Sequence, residues 1–144
     1  MKSQTKTWPQ ADSLERIISI LDMLPIRVDH FVNEFSTRYG MSTRQGSYYK
    51  SAALWLEIIT IEENVIVSCV DGSDPYKHIL GKLNSNKVFN NAIKSLRSRN
   101  LDKNLIALDI LMYSSLGSSI TTTHLRRAQT VISWVKTLKR LEYV

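Results

Sequence analysis

Arg126 and Arg127, adjacent near the start of an amphipathic stretch, are the residues of this sequence best suited to gripping an anion. A guanidinium is planar and permanently charged, and its fork of N–H donors matches a phosphate or the edge of a guanine. His124 stands where it can meet a phosphate, and Thr130 and Lys136 fall on the polar surface of the same stretch. A second set, Arg44, Gln45, Ser47, Tyr48, Lys50 and Ser51, opens another helical stretch, and each of its members can donate a hydrogen bond. Arg44 with Gln45 is a plausible base-reading pair. The competing reading for Arg126 and Arg127 is a solvated or internally paired face, though few acids stand near them in sequence; for Arg44 and Gln45 it is that a helix N-terminus is often polar anyway.

Catalytic and metal-binding constellations are not found. A metal-dependent nuclease needs an acid and a later acid-x-Lys pair to hold a divalent ion beside the scissile phosphate. Asp71 and Asp74 precede Lys77 and Lys82 without that spacing, and Asp102-Lys103 sits at a helix start, so turn and cap roles are the expectation. His30, His78 and His124 are far apart in sequence, no glycine loop cradles a phosphate, and no nucleophile has a motif around it. No catalytic residue, metal ligand or cofactor is assigned. The single cysteine, Cys69, has apolar neighbours and reads as core.

At 144 residues and 43% hydrophobic content, the chain fits one domain or two small ones with a buried core. Its longest apolar runs fall far short of the roughly 20 residues that span a bilayer, and residues 1–10 lack a signal-peptide apolar region. The expectation is a cytoplasmic protein with no membrane partner. Its net charge of +6 is unevenly spread. Residues 1–85 carry nine Lys/Arg against ten Asp/Glu, and residues 86–144 carry ten against three, so the two parts have charges of −1 and +7. That asymmetry is an electrostatic footprint for nucleic acid.

The elements that must position these residues read as mainly α with a small β-hairpin. After an arm over 1–12 that docks by Trp8 or stays mobile, a helix is expected over 13–24, stopped by Pro25. A second runs over 27–39 to Gly40, and a third from Thr43 to Ile59, with Tyr49 inward and Tyr48 outward. Ile58–Ile61 and Val65–Val70 flank Glu62-Glu63-Asn64 as a hairpin. Asp74-Pro75 opens a short helix over 75–83. Helices over 86–98 and 102–116 follow, the latter stopped at Leu116-Gly117, and then the long stretch from Thr121 to Val144, with Trp134 in the core.

Three helices and a hairpin are the order of a winged helix-turn-helix, and three helices then recur. At an offset of 85, Trp55–Ile59 aligns with Arg140–Val144 and Tyr49 with Trp134. The expectation is therefore tandem winged helix-turn-helix-like units over 13–83 and 86–144, the second ending where its wing would begin. Either that wing is lost or the chain is a piece of something longer.

The segment RQGSYYKSAALWLEII with its β pair resembles the helix-plus-wing of modules that accompany type II restriction endonucleases and related defence proteins, and THLRRAQTVISWVK is similar to the arginine-rich helix closing their second half. The resemblance covers roughly residues 13–142. It implies recognition of double-stranded DNA, with Arg44, Gln45, Tyr48, Arg126 and Arg127 on matching positions and a nuclease domain or protein partner supplied elsewhere. Gly46 departs from it, standing where such helices carry a buried aliphatic residue. The rival is a helical adaptor that docks on a protein or dimerises, favoured if a large apolar patch is exposed and Arg126 and Arg127 are scattered apart.

Overall fold

The structure, a computed structural model, describes residues 8–96, 101–114 and 119–144. Residues 1–7 of the arm, the expected helix end at 97–98 and the Leu116-Gly117 stop lie outside the described residues. Helix α1 spans Leu14–Ile18, where the Ser13 hydroxyl accepts the Arg16 N–H at 3.1 Å, and continues as a 3-10 turn over Ser19–Met23. Strand β1, Ile26–Arg27, was not anticipated; the sequence assigned Arg27 to the second helix. Two residues leave no periodicity to read, and β1 exists only through its pairing with a strand some forty residues on, Ile26 opposite Ile66.

Helix α2 spans Val28–Tyr39 and ends at Gly40, whose φ of 62° is the left-handed cap that glycine adopts at no steric cost. Helix α3, Thr43–Trp55, begins where the Ser42 hydroxyl accepts the Gln45 N–H at 3.1 Å. It stops four residues before the expected end at Ile59. Glu57 turns to φ 60°, Glu57 N–H donates to Leu54 O at 3.0 Å and Ile58 N–H to Ala53 O at 3.2 Å, a Schellman closure that releases the β-branched run into strand β2, Ile59–Glu62. Glu63 and Asn64, both at positive φ, form the two-residue turn to β3, Val65–Ser68. The antiparallel sheet has the order β1-β3-β2.

Helix α4, Pro75–Asn84, is capped by the Asp74 carboxylate, which accepts the Tyr76 N–H at 2.9 Å. Helices α5 (Lys87–Leu96), α6 (Lys103–Ser114) and α7 (Thr122–Arg140) complete the described fold. The buried side chains form one cluster from Ala11 to Leu138. Within and against it, Trp8 stacks on Phe89 at 5.6 Å, Phe89 on Trp134 at 5.5 Å, and Trp55 lies tilted against all three, with Phe89 and Trp134 fully buried and Trp8 and Trp55 partly so. The arm is thus docked by its tryptophan, and the two stretches read as separate units share apolar contacts.

Helix α7 closes as α3 does, at the offset seen in the sequence. Leu141, Glu142 and Tyr143 N–H donate to Thr137, Lys139 and Leu138 O at 3.0, 3.0 and 2.8 Å, and Leu56, Glu57 and Ile58 bond Ala52, Leu54 and Ala53 in the same pattern. Glu142 repeats the positive φ of Glu57. Tyr49 and Trp134, the aligned aromatics, are both buried.

Beyond α7, Tyr143 stacks on Tyr76 at 5.3 Å, and its hydroxyl donates to the second Asp74 oxygen at 2.6 Å. This bond holds the Asp74 carboxyl below its ordinary range and the Tyr143 hydroxyl above its own. A depressed carboxylate stabilises the fold above its unfolded pKa and loses that contribution as pH falls through the folded value; a raised phenol contributes below its unfolded pKa and loses its share as pH rises through the folded one. Tyr143→Phe should move the Asp74 titration upward, as read by carboxyl NMR; an unmoved titration would refute the bond.

Cys69 is exposed, correcting the core assignment. Alternation along β3 turns Ile66 inward, and position 69 falls on the opposite face, which apolar flanks alone did not reveal. Partial burial and the carboxylates of Glu62, Glu57 and Asp71 push its thiol pKa up.

Candidate nucleic-acid interface

Gly46, Tyr49, Ala52 and Ala53 form the buried row of α3. A Cβ added at Gly46 would lie 2.2 Å from the Ser36 hydroxyl oxygen and 3.3 Å from Val32 O, so α2 and α3 cross with no room for a side chain. That contact explains the departure from the aliphatic residue of the resembled modules. With this row turned inward, Arg44 and Gln45 are exposed on the first turn, and Ser47, Tyr48 and Lys50 are half-buried behind them. The Arg44 Nε–H donates to the Tyr48 hydroxyl at 2.6 Å, and the guanidinium lies 5.6 Å from that ring's centre. The tyrosine therefore orients the guanidinium through Nε while its two terminal nitrogens remain for an acceptor. No acid occurs between Thr43 and Trp55.

The α7 residues have a different fate. His124, expected on the phosphate side, is 1% exposed. It occupies the third position of a capping box, where its Nδ1 accepts the Thr121 N–H at 3.0 Å and lies 2.9 Å from the Thr121 hydroxyl. With Nδ1 an acceptor, the ring hydrogen sits on Nε2, which is buried without a partner among the described residues. Thr130, also expected on the surface, is 0% exposed; its hydroxyl donates to Asp12 Oδ1 at 2.8 Å.

Arg126 shares that carboxylate at 3.1 Å and donates to Gln10 O at 2.8 Å. Trp134 Nε1–H donates to Ala11 O at 2.7 Å, and Arg140 pairs with Glu15 at 2.6 Å. Residues 126, 130 and 134 make one row, and that row clamps residues 10–12. The sequence showed few acids nearby because the partner acid lies 114 positions upstream.

Arg127 is half-buried, its Nε has no partner among the described residues, and desolvation lowers its pKa. Lys136 remains exposed beside Lys139. The hairpin brings a feature the sequence reading did not weigh: Glu62 and Glu63 are exposed at its tip, so the turn presents negative charge. Among the described residues, no group of three or more His, Cys, Asp and Glu is placed to hold a metal ion, and no helix is long and apolar enough to cross a membrane.

Thr130→Val should test the clamp. Losing the bond to Asp12 and the 3.3 Å bond that the hydroxyl accepts from Arg126, and leaving Asp12 to Arg126 alone, is expected to cost about 1 kcal/mol in urea unfolding, and an unchanged midpoint would remove Thr130 from it.

Comparison with curated proteins gives no match, and comparison with solved structures gives none. A family model described as "Domain of unknown function (DUF7226)" matches residues 16–142.

Proposed function

The chain belongs to this DUF7226 family, and for it we propose double-stranded DNA recognition, with α3 as the helix that addresses the major groove. The observation that carries the reading is the element order α1, β1, α2, α3, β2, β3 with the sheet arranged β1-β3-β2. In a winged helix-turn-helix the third helix enters the groove with its first turns toward the bases, and here those turns carry Arg44, Gln45, Ser47, Tyr48 and Lys50 with no acid among them. Helices α5, α6 and α7 are the wing-less counterpart, and the shared Schellman ends of α3 and α7 support that pairing. Phosphates would repel Glu62 and Glu63, so this reading requires the hairpin tip to be held off the DNA backbone. In this reading the chain recognises, and the cutting step of a restriction or defence system belongs to a nuclease domain or partner, as the resemblance implies.

Within the reader, Arg44 contacts a base edge or phosphate and Tyr48 positions it. Arg126, tied to Asp12 and Gln10, serves the clamp instead. Fluorescence anisotropy with a random duplex should show affinity falling linearly in log–log form with salt, at a slope of about −0.9 per phosphate neutralised. Arg44→Ala is expected to lose about 1–3 kcal/mol of duplex affinity, roughly 5–150-fold. Arg126→Ala should change affinity little while lowering stability by up to about 1 kcal/mol, the range for an ion pair whose side chains are 45% and 42% exposed. No binding to any duplex at low salt would end the proposal, and preference for a single-stranded competitor would redirect it.

A second reading, a protein-binding or dimerising regulatory protein, is supported by a separate surface: Leu105, Leu108, Met112 and Tyr113 are exposed large hydrophobic residues on α6. It concerns another face and is compatible with the first.

A further inference from the structure

The Arg44 guanidinium is held along one edge only. Its Nε–H donates to the Tyr48 hydroxyl, one turn further along α3, at 2.6 Å, and its central carbon lies 5.6 Å from the centre of that ring. A guanidinium can offer two parallel N–H bonds either from Nε and one terminal nitrogen or from the two terminal nitrogens together. Tyr48 closes the first way. The second, the end fork, meets no acceptor among the described residues.

The backbone that carries this side chain is fixed as well. The Ser42 hydroxyl accepts the Gln45 N–H at 3.1 Å, and the Ser42 carbonyl accepts the Ser36 hydroxyl at 3.2 Å, so the first turn of α3 is tied to its cap and to α2. Two residues past Arg44, Gly46 crosses α2 with no room for a side chain. Part of the freedom that an exposed arginine loses on binding is therefore lost already.

Such holding selects among ligands. A phosphate can be gripped by the point charge of a lysine, whereas a base edge lies in one plane and rewards a fork aimed along it. In the major groove guanine presents two acceptors, O6 and N7; adenine sets an acceptor beside a donor, thymine an acceptor beside a methyl group, and cytosine presents a donor. The end fork of Arg44 carries donors alone. It satisfies both of its bonds on guanine and on no other base.

We propose that Arg44 reads a guanine in the major groove, its two terminal nitrogens donating to O6 and N7, and that Tyr48 is the positioning residue that aims them. The inference rests on the reading of α3 as the groove-facing helix. It narrows the partner from any duplex to one bearing a guanine opposite the first turn of α3.

Selection of duplexes from a random-sequence pool, followed by fluorescence anisotropy at fixed salt, is the test. The wild-type protein should retain duplexes with a constant guanine, bound roughly 5–150-fold more tightly than those with another base there. Replacing that base with 7-deazaguanine, which lacks N7, should cost about tenfold. Deoxyinosine at the same place, which keeps O6 and N7, should cost little. Arg44→Lys keeps the charge and removes the fork, so it should bind the guanine and 7-deazaguanine duplexes alike. Tyr48→Phe removes the acceptor for Nε and keeps the ring, and should shrink the ratio between them.

Failure to retain any duplex at low salt overturns the DNA reading and this inference with it. Duplex binding with no constant base, or with a constant base other than guanine, overturns the inference and leaves that reading standing. So does a guanine preference that tolerates 7-deazaguanine or persists in Arg44→Lys, because another contact then makes it. An undiminished ratio in Tyr48→Phe overturns the positioning role of Tyr48.

Discussion

Trp134→Ala should cost about 3–5 kcal/mol of stability, the range for removing a fully buried tryptophan. The ring is 0% exposed, stacks on Phe89 at 5.5 Å, lies 6.2 Å from Trp55 and donates from Nε1 to Ala11 O at 2.7 Å. Alanine leaves a cavity at the point where the docked arm, α3, α5 and α7 meet, and also leaves the Ala11 carbonyl without its donor. Collapse is limited because three helices and the arm would have to move together. Total stabilities of single domains are about 5–15 kcal/mol, so partial unfolding at room temperature is a reasonable outcome. Trp134→Phe separates the two contributions, keeping most of the stacking and losing the hydrogen bond, at a cost of about 1–3 kcal/mol. Urea unfolding monitored by far-UV circular dichroism gives both numbers. A loss below about 1 kcal/mol for the alanine variant would mean that the ring is not the shared centre of the core.

Gly46→Leu is expected to be the other large loss, about 3 kcal/mol or more, at the upper end of overpacking costs. The leucine Cβ alone would lie 2.2 Å from the Ser36 oxygen, before its branched end is placed at all, with Val32 O fixed behind it by the helix backbone. Gly46→Ala is the finer probe. An alanine gains about 1 kcal/mol in helix propensity over glycine, opposing the clash, so a modest net loss is expected. The Ser36 hydroxyl also donates to Ser42 O at 3.2 Å, and moving aside breaks that bond. In a Ser36→Ala background the nearest obstacle is removed and only the contact with Val32 O remains tight. The double-mutant cycle should then show a favourable coupling of about 1 kcal/mol. Additive losses would locate the strain in the backbone alone. Because α3 carries Arg44 and Tyr48, Gly46→Leu should also reduce duplex binding in whatever fraction remains folded.

The two halves of the proposed reader differ in how they use their polar residues. On α3 the polar first turns face outward because Gly46, Tyr49, Ala52 and Ala53 fill the inward row. On α7 a comparable polar row is engaged by partners in the same chain, Asp12, Gln10 and Ala11. The excess positive charge of residues 86–144 is therefore not one continuous surface. Part of it neutralises acids of the N-terminal region, with Arg126 on Asp12 and Arg140 on Glu15, and the exposed remainder includes Lys94 on α5, Lys103 on α6, and Lys136 and Lys139 on α7.

Helix starts and stops were legible because each acts across a few bonds: Ser42 before α3, Gly40 after α2, Asp74-Pro75 before α4, and the β-branched alternation that makes the hairpin. The inward choice of Tyr49 and Trp134 was legible from periodicity for the same reason. The match at an offset of 85 was legible too, but not that both matched segments leave their helices in a Schellman turn, since α3 was expected to run on to Ile59. What only the tertiary structure decided depends on residues far apart in the chain. Strand β1 needs Ile66 and Val65 beside it. Burial of Thr130 and engagement of Arg126 need Asp12, whose approach to α7 no local pattern announces. His124 was misplaced because a histidine completing a capping box and one facing solvent have the same sequence environment. Cys69 was misplaced because its exposure follows from strand phase, which the sheet sets. Periodicity states that a helix has two faces; distant packing decides which polar residues remain free to meet a partner.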